Sequence, residues 1–127
     1  MRQHSVPCVL LARTFDAGNV GSVARGMLNF GLHDLRLIDP TADPGCDEAI
    51  LRASGAAPLL KTASVHDCVA DAAHDLQLVL ATTARPRESR IPVHSPREAV
   101  ALAMDAISRG ERVGLLVSRR PARIARC

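Results

Sequence analysis

The 127-residue chain contains no tryptophan and no tyrosine, and its only phenylalanines are Phe15 and Phe30. Many single-strand nucleic-acid binders stack bases on aromatic side chains. That route is closed here, so any contact with RNA has to rest on arginine and on backbone amides. No apolar run approaches the roughly 20 residues of a membrane-spanning helix, and "MRQHSVPCVLLARTF" holds too short an apolar segment for a secretory signal. The expectation is a cytoplasmic protein with no membrane contact. Cys8, Cys46, Cys68 and Cys127 show no C-x-x-C spacing and no histidine at metal-site intervals. Neither a metal site nor a disulfide framework is expected, and the cysteines read as buried or incidental reduced thiols.

Basic charge is scarce over most of the chain. The net charge is +3, but from Arg109 onward six arginines face only Glu111. That stretch contributes +5 and leaves residues 1–108 at −2. The basic character belongs to the tail, so net charge by itself does not mark the body as a nucleic-acid binder.

What the chain does have is a 47% hydrophobic composition arranged as alternating strands and helices, enough for one compact domain with a moderate core. "SVPCVLLA" (5–12) is a short, partly β-branched apolar run that suits a buried strand. "DLRLID" (34–39) alternates and stops at Pro40. Between them Val20, Val23, Ala24, Met27 and Leu28 recur at helical spacing, with Gly31 as a stop. Strand, helix and strand in this order form a βαβ unit and imply a parallel sheet. "CDEAILRASG" and "HDCVADAAHD" read as helices, and "KTASV" as a minor strand. "LQLVLATTA" (76–84) is the strongest strand signal, with the continuous apolar character of a central parallel strand. "SPREAVALAMDAISRG" (95–110) carries Ser95 as N-cap, Pro96 at the first position, Glu98 to complete a capping box and Gly110 as the stop. "RVGLLVS" follows as a further strand. The expected architecture is α/β, a mostly parallel sheet with helices on both faces.

Ligands of open parallel sheets gather at the carboxyl ends of the strands. The segment after the first strand holds Gly18, Asn19, Gly21 and Arg25, and "TTARPRESR" after the strand at Leu76 holds Thr82, Thr83, Arg85, Arg87 and Arg90. Both segments should lie on one edge of the sheet. The glycines lack the G-x-G of a dinucleotide fingerprint, and "GSVARGM" has Met27 where a phosphate loop needs lysine. What remains is a helix start, an asparagine and an arginine about one turn in, a combination that favours an anion such as phosphate. Spacing alone favours a plainer account, in which Gly18 and Asn19 form a turn and cap and Arg25 is merely solvated. A second arginine segment with two threonines on the same edge shifts the balance toward phosphate or ribose contacts.

"GNVGSVARGMLNFGL", "DLRLIDP", "ATTARPR" and "SPREA", in this order and separation, resemble the SpoU family of RNA 2′-O-ribose methyltransferases, especially its TrmJ-like tRNA branch. The resemblance covers about residues 5–117. It implies a SPOUT-type α/β fold with a carboxy-terminal trefoil knot, a homodimer, S-adenosylmethionine (AdoMet) as methyl donor and tRNA as substrate. It also implies that Arg25 assists deprotonation of the ribose 2′-hydroxyl, that Asn19 organises the site, and that Thr82, Thr83 and Ala84 line the cofactor pocket. Arg85 and Arg87 would contact RNA, and Gly18 and Gly21 would let its backbone approach. Arginine is a poor general base because a guanidinium holds its proton far above neutral pH. Stabilising the forming alkoxide is therefore the better physical role for Arg25.

After "VGLLV" the family continues with a glycine-bearing F-G-x-E-x-x-G-L loop and a final motif, whereas this chain reads "SRRPARIARC". Residues 1–117 are thus expected to form the N-terminal part of a SpoU-type domain, with 118–127 an aberrant basic tail and the knot segment missing. Such a chain is expected to bind AdoMet weakly or not at all. The alternative from another class is a non-catalytic RNA-binding or dimerising fragment.

Overall fold

The computed structural model describes residues 6–13, 16–82 and 92–118. The first strand, β1 (Cys8–Ala12), is buried at every position. It can be so because both edges and both faces are occupied. β2 (Leu35–Ile38) pairs with it on one side and β5 (Val113–Ser118) on the other. β3 (Ser64–His66) extends the sheet beyond β2, and β4 (Leu78–Ala81) beyond β5. The order is β3-β2-β1-β5-β4, with every pairing parallel. A parallel sheet needs cover on both faces, which explains why these strands are runs of Leu, Val and Ile rather than alternations with polar residues.

Helix α1 (Ala17–Asn29) starts at Asp16, whose carboxylate accepts the Gly18 N–H at 2.7 Å. It stops at Phe30, where the chain turns through Gly31 with a φ of 73°. The cap is therefore Asp16, not Gly18 and Asn19. Val20, Ala24 and Met27 pack on Val9, Leu11, Leu35 and Leu37. The same cluster takes in α2 (Asp47–Ala53), a 3-10 turn (Ser54–Ala56) and α3 (Ala57–Thr62) through Ala49, Ala53, Ala56 and Leu60. Leu10, Leu37 and Val20 are the largest fully buried side chains, and each contributes about 1.5–3 kcal/mol by leaving water.

The opposite face, formed by Cys8, Leu10, Ala12, Ile38 and Leu116, is met by α4 (Val69–Ala72) through Ala72. That helix is one turn long, shorter than "HDCVADAAHD" led one to expect. Helix α5 (Pro96–Ser108) packs Ala103 and Ala106 on Val113, with Leu78, Leu80 and Ile107 beside them. Leu80 is in register with Leu115, and Leu115 with Val9. α5 therefore lies on the same face as α1, and the two faces are covered unequally. The capping box at Ser95 forms as the residues require, with the Ser95 hydroxyl accepting the Glu98 N–H and donating to the Glu98 carboxylate.

One expectation needs correction. β4 is an edge strand among the described residues, half-buried rather than central, because β5, though later in the chain, inserts between it and β1. Ser118 is the last residue of β5, where the strand reading of "RVGLLVS" also ends.

Candidate functional site

The carboxyl ends of β1 and β2 both turn through left-handed, non-glycine residues, Arg13 with a φ of 53° and Asp39 with a φ of 45°. Backbone bonds hold the two turns: the Arg13 N–H donates to Ile38 at 2.9 Å and the Asp39 N–H to His66 at 2.8 Å. Their side chains form a long, exposed ion pair of 4.0 Å, a type that adds little stability. The His66 Nδ1–H donates to the Asp71 carboxylate at 2.7 Å, which ties α4 to β3, and its Nε2 meets the Ser64 hydroxyl at 2.8 Å.

From this edge α1 departs with the predicted site residues. Asn19 and Arg25 are both exposed. Six residues of helix separate them by about 9 Å along the axis and about 120° around it, so they address different parts of a ligand. Arg25 has no salt bridge or side-chain hydrogen bond among the described residues. Gly18 and Gly21 lie inside α1 and are buried, in contrast to the open loop position expected of them. A Cβ on Gly21 would stand 2.2 Å from the Ala49 carbonyl oxygen and 2.9 Å from the Ala53 nitrogen. Glycine is needed there so that α2 can lie against α1.

Thr82 follows β4 and is held by Leu116, whose carbonyl accepts the Thr82 N–H at 2.9 Å and its hydroxyl at 3.4 Å. β4 and β1 are two strand spacings apart, about 10 Å, with β5 and Ser118 between them. Thr82 thus shares an edge with the start of α1. Thr83, Ala84, Arg85, Arg87 and the segment 119–127 lie outside the described residues.

Sequence reasoning missed the largest charge cluster, which sits at the other end of the sheet. The Arg36 side chain is 8% exposed; it donates to Asp75 at 2.5 and 3.0 Å, to Asp34 at 3.0 Å and to the Ala72 carbonyl at 2.7 Å. Arg112 joins Asp75 at 2.8 Å. The Arg36 guanidinium holds the Asp75 carboxyl down to about 2. A cavity of about 410 Å³ opens beside this cluster, lined by His33, Asp34, Thr62 and Arg112 among others. The available signal was the arginine within "LRLI", a strand with both faces covered. Its partners are remote in sequence. Among the described residues no group of His, Cys, Asp and Glu could hold a metal ion, and no helix is long and apolar enough to cross a membrane.

Residues 7–107, spanning β1 to α5, match the SpoU rRNA Methylase family. The chain belongs to this SpoU family. It is 37% identical over 111 residues to the tRNA (cytidine/uridine/adenosine-2′-O-)-methyltransferase TrmJ of Pseudomonas aeruginosa, a match covering 87% of this chain and 43% of that protein. To the tRNA (cytidine/uridine-2′-O-)-methyltransferase TrmJ of Escherichia coli it is 38% identical over 90 residues, covering 71% of this chain and 36% of the relative. Among solved structures, TrmJ of Z. mobilis superposes with a TM-score of 0.76 at 39% identity, over 91% of this chain and 50% of that one. A methyltransferase from Bordetella pertussis gives 0.81 at 30% identity, over 91% and 70%. The chain thus spans less than half the length of these curated SpoU relatives.

Proposed function

We propose that this chain carries part of the site of an AdoMet-dependent RNA ribose 2′-O-methyltransferase acting on tRNA in the cytoplasm, and that the complete site forms in a homodimer. The observation that carries the reading is the exposed Arg25, which has no salt bridge or side-chain hydrogen bond among the described residues, on the helix that starts at the sheet edge of Thr82. A ribose 2′-hydroxyl becomes a competent nucleophile as it acquires negative charge. A fixed guanidinium stabilises that charge most where it develops. Arg25 holds the oxygen while the proton leaves to another acceptor, and Asn19 orients the neighbouring polar groups of the nucleotide. Arg85 and Arg87 bind the RNA backbone. Gly18 and Gly21 act indirectly, by fixing α2 beside Arg25.

AdoMet supplies an electrophilic methyl group when bound. The described part of its site fits such a ligand: the Thr82 hydroxyl is exposed, and its own bond to Leu116 is a long 3.4 Å that it can exchange. Thr82, Thr83 and Ala84 would hold the cofactor. A second reading, a dimerising fragment without catalysis, is favoured by one observation: Val100 and Met104 of α5 are each 61% exposed. Tritium transfer from labelled AdoMet to tRNA decides between them. Labelled RNA that is lost on Arg25→Ala is the expected result of the enzyme reading; RNA that stays unlabelled although calorimetry shows AdoMet bound overturns it.

A further inference from the structure

Three side chains apart from the RNA-facing residues line up along β3, the open edge of the sheet among the described residues. Ser64 and His66 alternate on that strand, so both point to one face. Their register partners Arg36 and Ile38 place that face under α4, since Arg36 bonds Ala72 and Ile38 packs in one cluster with it. Asp71 directly precedes Ala72. Two bonds hold α4 there: the Arg36 guanidinium donates to the Ala72 carbonyl at 2.7 Å, and the Cys68 Sγ accepts the Asp71 N–H at 3.4 Å. The outcome is a relay. Asp71 Oδ2 accepts the His66 Nδ1–H at 2.7 Å, and the Ser64 hydroxyl donates to His66 Nε2 at 2.8 Å. A carboxylate only accepts, so it fixes the tautomer and leaves Nε2 of the neutral ring as the acceptor.

A structural tie between α4 and β3 needs only the His66–Asp71 bond. Ser64, on the same strand as His66, adds nothing to it. Ser64 is exposed, whereas the His66 side chain is 17% exposed and sheltered between the two oxygen partners. Nucleophile, base and orienting acid thus stand in order at bonding distance. The backbone supplies a further group. The His66 carbonyl accepts the Asp39 N–H, so the backbone groups of His66 and Ser64 turn toward β2 and those of Val65 turn toward the open edge. Serine hydrolases commonly use the N–H of the residue after the nucleophile to hold the oxyanion, and here that donor is Val65.

The geometry points to a second chemical activity of this chain, acyl transfer from small ester substrates to water through Ser64, with His66 as general base and Asp71 as its positioning residue. Ser64 Oγ attacks the ester carbonyl carbon while its proton passes to His66 Nε2, and the carbonyl oxygen takes up the charge beside the Val65 N–H. The ester C–O bond then breaks, and the alcohol leaves with the proton from Nε2. Water attacks the resulting acyl-serine, giving a proton to Nε2. Collapse returns that proton to Oγ and releases the carboxylic acid. With one oxyanion donor and a serine open to water, the site suits esters with a stable leaving group, such as aryl acetates. The proposal is independent of the RNA reading, because it uses neither Arg25 nor Thr82.

Hydrolysis of p-nitrophenyl acetate by the full chain, with peptide mass spectrometry of chain quenched during turnover, tests the relay. An acetyl group on Ser64 is expected. Ser64→Ala and His66→Gln should each lower kcat about a hundredfold, the low end of general-base catalysis, with thermal melts showing both folded. Ser64→Cys should be acetylated at the same position. Asp71→Asn should lower kcat about tenfold and leave KM unchanged, because it disturbs the base and not the ester. His74→Gln, at an exposed histidine of the same region, should change nothing. Full turnover by Ser64→Ala overturns the proposal. So does acetyl confined to Lys61, Cys46 or His66, which would mark ordinary side-chain reactivity, and so does a chain that neither turns over the ester nor takes up acetyl.

Discussion

Arg36 grips Asp75 at two points, Nη1 on Oδ1 at 2.5 Å and Nη2 on Oδ2 at 3.0 Å, across 39 residues of chain. The guanidinium also takes the Ala72 carbonyl, so one side chain of β2 fastens the end of α4 and the approach to β4. Removing it would leave Asp75 and Asp34 facing each other with only the more exposed Arg112 between them. Arg36→Met is expected to cost about 3–5 kcal/mol, the range for breaking one side of a buried ion pair. A urea titration should show a lower midpoint with an unchanged slope.

The same pair sets an acid limit on the fold. Hydrogen bonding from Arg36 lowers the Asp75 carboxyl from 3.8 to about 2. A depressed folded-state value means that the stabilisation is fully present above pH 4 and is lost as pH falls from about 4 to about 2. The contribution is about 2 kcal/mol at most. Thermal melts across this window should fall more steeply for the native chain than for Asp75→Asn, which should be less stable at pH 7 and converge with it near pH 2.

Two glycines of one helix should respond to alanine with opposite sign. At Gly21 the new methyl would press into the α2 backbone, so Gly21→Ala should destabilise by about 2 kcal/mol or more, as overpacking does. At Gly26 nothing lies within 4 Å, and Gly26→Ala should stabilise by about 0.5–1 kcal/mol through helix propensity. Denaturant midpoints of the two variants, compared with the native chain, check both signs.

Thiol labelling should separate two free cysteines. Cys8 is buried, and burial raises its thiol above the ordinary range, whereas Cys46 is partly exposed before α2. Iodoacetamide under native conditions, read by peptide mass spectrometry, should modify Cys46 well before Cys8. Equal rates would mean that β1 opens readily.

The outer side of α5 should govern self-association. Val100 and Met104 stand one turn apart and are largely exposed, with no helix of the described chain against them. Val100→Lys combined with Met104→Glu is expected to reduce the sedimentation-measured association while leaving the melting temperature within a few degrees, as exposed substitutions do.

Local signals in the sequence were legible wherever the structure obeys local rules. Ser95, Pro96 and Glu98 announce the start of α5, and Gly31 and Gly110 both adopt the left-handed turn expected of helix stops. The βαβ order, and the start of α1 on the sheet edge that also holds Thr82, follow from the same reasoning. What escaped depends on distant neighbours. Asp16 caps α1 although Gly18 and Asn19 have the composition of a turn, because the cap residue is chosen by where the strand ends. Gly21 is explained only by α2, and Arg36 only by Asp75. β4 has the composition of an interior strand, yet its position is decided by β5, which comes later in the chain.

That insertion also governs how the chain can reach its native state. Cys8, in the first of the described strands, finds its partner Gly114 about a hundred residues later. Until then β1, buried at every position in the finished sheet, has one open edge. Long sequence separations of this kind slow folding and prolong the exposure of unpaired strands. Newly made chains should therefore depend on chaperones until β5 arrives, and a chain cut before Val113 should aggregate.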